Sequence, residues 1–233
     1  MSNDFDVDWA VIGSGFGGSV SALRLSEKGH SVQMLECGRR FGDDDFAKST
    51  WDARRYWWMP KLGFKGIFRL STFRDVVVVS GCGVGGGSLG YANTLYRARP
   101  AFYADPQWAA LSEDWQAELA PFYDEAERML GVVEVAADDP ADELLREFGE
   151  HIGVSESYAK TRVGVYFGEP GVEVEDPFFG GDGPPRTGCQ FIGRCMVGCP
   201  VGAKNTLEKN YLWFAERNGV QITPERTVID IRP

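Results

Sequence analysis

Asp8-Trp9-Ala10-Val11-Ile12-Gly13-Ser14-Gly15-Phe16-Gly17-Gly18 is the stretch whose reading decides the fold. Its first five residues form a largely apolar run, short enough for a buried strand. Residues 19–28, rich in Ala, Leu, Ser and charged side chains, predict a helix that Gly29 stops. Ser31-Val32-Gln33-Met34-Leu35 predicts a second strand, ending in Glu36. Strand, glycine turn, helix, strand and terminal acid within about 30 residues make a dinucleotide-binding βαβ unit. The spacing gives the glycines separate tasks. Gly13 makes the tight turn, Gly15 lets backbone approach a pyrophosphate, and Gly18 lets helix and strand pack closely. Ser14, Phe16 and Gly17 complete the loop. The helix N-terminus offers free N–H groups and partial positive charge to phosphates. Glu36 stands where it would accept hydrogen bonds from a ribose diol. A merely glycine-rich turn is the competing reading, and the flanking strand–helix–strand pattern argues against it. The fold class is therefore α/β, a Rossmann-like βαβ domain.

The rest of the chain narrows the function classes. Its 233 residues, 43% of them hydrophobic and with 7 Trp, 8 Tyr and 15 Phe, support a substantial core. A net charge of −10 argues against a nucleic-acid partner, whose affinity rests mainly on Lys and Arg. No run approaches the roughly 18 apolar residues of a membrane span. The N-terminus shows no basic region followed by an apolar run, so no secretory signal is expected. Five cysteines, three of them between 189 and 199, do not resemble a disulfide framework, and a reducing cytoplasm is the expected compartment.

Residues 37–75 form a long connection containing Trp51, Tyr56, Trp57, Trp58, Phe64, Phe68 and Phe73. So many aromatics predict either packing against the nucleotide domain or a lid over a ligand cavity. Val76-Val77-Val78-Val79 predicts a strand buried on both faces of a parallel sheet. It leads into a tract with six glycines between 81 and 90, including Gly83, Gly85, Gly86 and Gly87 beside Val84 and Ser88. Such a tract suits backbone brought against a flat or phosphorylated ligand; a flexible linker is the alternative. Residues 100–130 predict two helical pieces, the second starting at Pro121. Asp139-Pro140 predicts a capped helix start with a stripe of Leu144, Leu145, Phe148 and Ile152. Val163, Val165 and Phe167 alternate as in a strand. Asn205-Thr206-Leu207-Glu208 predicts a reciprocally capped helix start, with the helix running to about Asn218. Residues 220–222 and 228–231 predict strands, the second ending almost at Pro233, which is an awkward end for a domain.

Three stretches together resemble one family. They are residues 11–18 with Leu35-Glu36; Gly83-Val84-Gly85-Gly86-Gly87-Ser88-Leu89 with Tyr91-Ala92-Asn93; and Gly193-Arg194-Cys195-Met196-Val197-Gly198-Cys199-Pro200 with Gly202-Ala203-Lys204-Asn205-Thr206-Leu207 and Asn210-Tyr211-Leu212. They resemble the flavin-dependent glucose–methanol–choline oxidoreductases, in particular the bacterial cholesterol-oxidase-like branch, over the N-terminal part of that fold. The resemblance implies FAD as cofactor. Gly13, Gly15 and Gly18 would cradle its pyrophosphate and Glu36 its adenosine ribose. Gly83, Gly85, Gly86, Gly87 and Ser88, with Asn93, would approach the diphosphate and flavin, and the backbone at Val228 would meet the adenine. The implied reaction is hydride transfer from an alcohol carbon, a sterol 3β-hydroxyl being favoured, to the flavin. The implied organisation is an FAD-binding domain over 1–130 with an inserted aromatic loop at 37–75. A partial substrate-side region follows over 131–200, with a return to the FAD-binding domain over 201–233.

The family takes the alcohol proton with a His and a neighbouring Asn or second His in its C-terminal half. This chain has two histidines, and neither His30, in a turn, nor His151, closing an amphipathic helix, matches that pair. No catalytic residue is assigned. The expectation is a truncated FAD-binding part that does not turn over alone, or a non-catalytic subunit paired with a second chain. Cys189, Cys195 and Cys199-Pro200 match three positions of a ferredoxin cysteine run, with Ile192 at the missing one. An electron-transfer module using those thiols is a third reading; packed or redox-sensitive thiols are the expectation, with no metal.

Overall fold

The computed structural model describes residues 5–232. Strand β1 (Trp9–Ile12), helix α1 (Phe16–Glu27) and strand β2 (Val32–Leu35) form the expected βαβ unit. The two strands are parallel, with Trp9 opposite Val32 and Ile12 opposite Leu35. Gly29, at φ +86°, ends the helix turn in the left-handed region. The strand Gln221–Thr223 comes back to the other edge of β2, also parallel, so β2 is the middle of three. That position explains its burial: Val32 and Met34 are enclosed, whereas Trp9 and Ile12 on β1 remain about half exposed.

The main core lies between this sheet and the helix Tyr211–Arg217, which packs on α1. Ala22 and Leu23 of α1 meet Leu212 and Ala215 of that helix, over Val32, Met34, Val84 and Leu207. Each large aliphatic or Met side chain so enclosed stabilises the fold by about 1.5–3 kcal/mol. Part of the aromatic connection builds a second cluster of Phe41, Phe46, Ile67 and Phe68 around Leu89, flanked by Tyr56 and Trp57. Trp51 and Phe73 of the same segment remain exposed. Val163, Val165 and Ala203 centre a third cluster, beside Cys189 and Cys199.

Several expectations are corrected. Val77–Gly81 does not enter the parallel sheet; it pairs antiparallel with Phe68–Thr72 as a local hairpin, and Val76 to Val79 are all more than 40% exposed. The β-branched run specifies an extended backbone, but burial depends on what packs over it. The helix Trp115–Met129 continues through Pro121 instead of restarting there. Asp114 caps its first turn by accepting from the Ala117 N–H (2.9 Å), and one lost backbone donor does not interrupt it. The predicted start at Asn205 is a 3₁₀ turn, Leu207–Lys209, without a side-chain cap; the helix proper begins after Asn210, whose Oδ1 accepts from Tyr211 N–H. Residues 228–231 form no strand, and Ile229 and Ile231 are strongly exposed. The helix Pro140–His151 does begin at Asp139-Pro140, with Asp139 and Asp142 capping reciprocally. Its apolar stripe is open, Leu144, Leu145, Phe148 and Ile152 all being at least half exposed. Among the described residues no helix is long and apolar enough to cross a membrane.

The glycine loop has one position that the fold needs and one that it leaves open. A Cβ on Gly18 would sit 1.9 Å from the Gly13 carbonyl oxygen, whereas a Cβ on Gly17 would meet nothing within 4 Å. Gly18→Ala is expected to destabilise the chain by about 2–4 kcal/mol in urea unfolding, since backbone must shift. Gly17→Ala, one residue away in the same helical turn, is expected to be neutral or up to about 1 kcal/mol stabilising.

Candidate functional site

Gly15 precedes α1 with extended backbone and no side chain to cap it, and the first turn carries no acid. The opening N–H groups of the helix therefore keep their donor capacity and the positive end of its dipole. Gly13 (φ +88°), Gly15 and Gly17 all face open space, so the loop presents bare backbone. An anion fits this arrangement, and any side chain at Gly15 or Gly17 would fill its approach.

The second glycine tract lies directly against the first. A Cβ on Gly86 would come within 2.7 Å of Gly15 Cα. Gly38, just past β2, touches the tract likewise, its added Cβ falling 2.2 Å from Gly83 N. Polar groups join these three segments. The Ser14 hydroxyl donates to Glu36 Oε2 (2.7 Å) and accepts from Gly85 N–H (3.1 Å). Glu36 Oε2 also takes the Ser14 N–H (3.0 Å), while Oε1 takes Gly38 N–H (2.8 Å) and Gly83 N–H (3.3 Å). Ser88 donates to Gly85 O (2.7 Å) and accepts from Leu207 N–H (3.0 Å), tying the tract to the turn before the last helix.

Glu36 thus stands where the sequence places it, at the end of β2, but its carboxylate turns inward and is 4% exposed. Burial pushes its pKa up. Hydrogen bonds from Gly38, from the Ser14 hydroxyl and N–H and from Cys37 outweigh that and hold it below the ordinary carboxylate range. Val84 is wholly buried in the main core, and Phe16 is partly exposed, its ring edge-on to Tyr91. Asn93 is buried in left-handed backbone (φ 65°), and its Oδ1 has no partner. Val228 is half-buried in irregular chain, not in the strand expected to carry it.

Asn93 opens on a cavity of about 550 Å³ lined by Val135, Val163, Val165, Phe167, Phe191 and Ile192. Cys189, Cys195 and Cys199 also line it. Among the described residues the three thiols are not gathered to metal-ligand separation; the one set that is comprises Glu36, Cys37 and Cys82. His30 and His151 are both exposed.

Two buried cations organise the neighbouring loop, and the sequence assigned neither a role. Arg186 bonds the Gly202 and Ala203 carbonyls and Asn205 Oδ1. Lys204 Nζ donates to Leu89 O (2.9 Å) and Cys195 O (2.8 Å) and lies 4.6 Å from the Tyr91 ring centre. It joins the second glycine tract to the cysteine loop. Burial pulls its pKa down to about 7. A lone Lys between small residues was the available signal, but its enclosure depends on segments more than 100 residues away.

Residues 11–44 match a family model described as an NAD(P)-binding Rossmann-like domain. The chain is 52% identical to a cholesterol oxidase of Mycobacterium tuberculosis over 98% of its own length and 40% of that protein. It is 46% identical to one from Acinetobacter baumannii over 99% of its own length and 42% of that protein. A long-chain-alcohol oxidase from Arabidopsis thaliana is 25% identical over 92% of this chain and 25% of its own length. The chain spans about two-fifths of the length of the cholesterol oxidases it matches.

Glu36→Gln replaces one acceptor oxygen with a donor facing N–H groups. It is expected to cost about 1–3 kcal/mol near neutral pH by urea unfolding. Because the folded-state pKa is depressed, the stability that Glu36 adds is full above its unfolded value of 4.5. It is lost as pH falls through the folded value, so wild type and variant should converge in acid. Lys204 gives a slope of the same sign in a different window, because its folded-state pKa is depressed too. Between about 7 and the unfolded value of 10.5 the unfolded chain holds the extra proton, so stability should rise with pH across that window. Lys204→Met should flatten this slope in pH-dependent thermal melts.

Proposed function

The chain belongs with the N-terminal part of the cholesterol-oxidase-like glucose–methanol–choline oxidoreductases, and on that footing we propose that it binds FAD for oxidation of an alcohol. The observation that carries this reading is the uncapped N-terminus of α1 behind a bare glycine loop, with a second glycine tract packed against it. Gly15, Gly17 and Gly18 would receive the pyrophosphate on backbone N–H groups, flanked by Ser14 and Phe16, while Gly13, whose own N–H is held by Leu35 O, would make the turn. Gly83, Val84, Gly85, Gly86, Gly87 and Ser88 would back the diphosphate. The unpartnered Oδ1 of Asn93 is free to accept a hydrogen bond from the flavin side of the ligand. Glu36 would hold the adenosine ribose by exchanging its long bond from Gly83 N–H (3.3 Å) for a ribose hydroxyl.

When bound, FAD supplies the hydride acceptor for the alcohol carbon. A sterol is the proposed substrate class. The names of the relatives support it, as does the cavity beside Asn93, walled by Val135, Val163, Val165 and Phe167. Exposed His30 and His151 are assigned no proton transfer, so this chain by itself is proposed to bind cofactor without turnover. A second polypeptide carrying the proton acceptor is the proposed partner, and the open apolar edge at Trp9 and Ile12 favours it. The cytoplasm is the proposed compartment, in keeping with five free thiols.

The test is the visible spectrum of the purified chain. The two bands of an oxidised flavin, released by heat and restored by added FAD but not NAD, are expected. Gly15→Val should weaken FAD binding at least about tenfold, or about 1.4 kcal/mol, while leaving secondary structure intact by circular dichroism. A folded chain that takes up no FAD would overturn the reading. Anaerobic cholesterol should leave the bands unbleached; bleaching would instead place the proton acceptor within this chain.

A further inference from the structure

Cys37 and Cys82, 45 positions apart, place their sulfurs 3.5 Å from each other. Cys37 is half-buried at the end of β2, and Cys82 is fully buried at the entrance to the second glycine tract. Their segments are held together independently of the thiols. Val84 N–H donates to Arg39 O (3.0 Å), Cys82 N–H to Ile67 O (2.8 Å) and Gly83 N–H to Glu36 Oε1 (3.3 Å). The bare backbone of Gly38 lets the two strands of chain touch. The sulfurs must close by only about 1.5 Å to reach bonding distance, a movement within reach of side-chain rotation.

We propose that Cys37 and Cys82 form a reversible disulfide on exposure to a peroxide, joining the end of β2 to the second glycine tract. The Cys37 thiolate attacks one oxygen of hydrogen peroxide. The O–O bond breaks, hydroxide leaves and is neutralised by the proton Cys37 released, and Cys37 becomes a sulfenic acid. The Cys82 sulfur attacks that sulfur, the S–O bond breaks, and the departing hydroxyl leaves as water with the Cys82 proton. Two thiols lose two electrons and two protons, and one peroxide becomes two waters. The environment supports this order of events. A hydrogen bond from Cys82 holds the Cys37 thiol below its ordinary pKa against burial, the charge of Glu36 and the bond that Cys37 gives Glu36, while that same pairing and burial push Cys82 up. Cys37 is the more exposed of the two residues, and the resolving sulfur of fully buried Cys82 is already in place beside it.

The bridge does not depend on the identity of the cofactor. Its consequence for binding rests on the FAD reading: a bridge from Cys37 to Cys82 holds Glu36 against Gly83 and opposes the exchange of donors that a ribose needs.

The test is peroxide titration of the reduced chain, followed by alkylation and peptide mapping. The Cys37 and Cys82 peptides should become linked, with loss of two hydrogens, at least about tenfold faster than Cys189, Cys195 or Cys199 lose labelling. Dithiothreitol should reverse the link. Oxidised wild type should melt at a higher temperature than reduced, whereas Cys37→Ser, at a half-exposed position, should show no shift. If Cys82→Ala folds, it should leave Cys37 as an unlinked sulfenic acid. Prior consumption of the other three cysteines would overturn the proposal, as would Cys37 oxidation without linkage or an equal thermal shift in Cys37→Ser. Tighter FAD retention by the reduced than by the oxidised chain is the expected second readout. Linkage without that difference would remove the consequence and keep the bridge, and a chain that binds no FAD in either state would bear on the cofactor reading alone.

Discussion

Backbone pressed against backbone is the constraint on which the structure depends. Gly18 lies on Gly13, Gly86 on Gly15 and Gly38 on Gly83, each so close that a single methyl group would overlap main-chain atoms. These contacts bring three separate turns into one layer without side chains between them. The layer has few means of cohesion of its own, because glycine contributes no apolar side chain and loses much backbone freedom on folding. Ser14 and Glu36 supply the missing cohesion from within. One hydroxyl and one carboxylate take up N–H groups from the first loop, from the chain after β2 and from the second tract. A charge-assisted node of this kind is worth more in a buried place than on a surface, provided its donors are all present.

Behind this layer the same logic recurs with cations. Arg186 and Lys204 bring basic side chains into the interior and recover part of the lost hydration by donating to carbonyl oxygens that turns and loops leave free, while burial still lowers both pKa values. Their partners lie on segments that no regular sheet or helix joins. The chain therefore depends on single buried polar side chains at the places where its irregular segments meet. The apolar cores lie between α1 and the last helix, around Leu89, and around Val163, Val165 and Ala203, the last two clusters directly beside these cations. Apolar packing stabilises the body, and the polar nodes give the loops a specific arrangement.

The βαβ unit was legible because every signal in it is local. Strand, turn, helix and stop fall within about 30 residues, and each glycine has a steric reason that spacing alone exposes. The start at Asp139-Pro140 was legible for the same reason, since a cap acts on N–H groups two and three residues away. Val76 to Val79 were not, because β-branching specifies an extended backbone without naming the surface that covers it. Residues 228–231 failed in the same way: the β-branched Val228, Ile229 and Ile231 formed no ladder among the described residues. At the site, the position of Glu36 could be read, but the direction of its carboxylate could not. That direction depends on Ser14, 22 residues earlier, and on Gly83, 47 residues later. The pairing of Cys37 with Cys82 was hidden likewise, each thiol being unremarkable in its own segment.

The sequence by itself determined the α/β class, the parallel β1–α1–β2 unit, the bare glycine loop at a helix N-terminus and the likeness to an oxidoreductase family. All of these follow from residue types at short spacing, where sterics and backbone hydrogen bonding act between near neighbours. Only the tertiary structure decided that Glu36 faces inward, that Lys204 is enclosed, and that Cys37 and Cys82 meet. Those outcomes depend on segments brought together by folding, and pairwise distance between remote side chains has no counterpart in linear spacing.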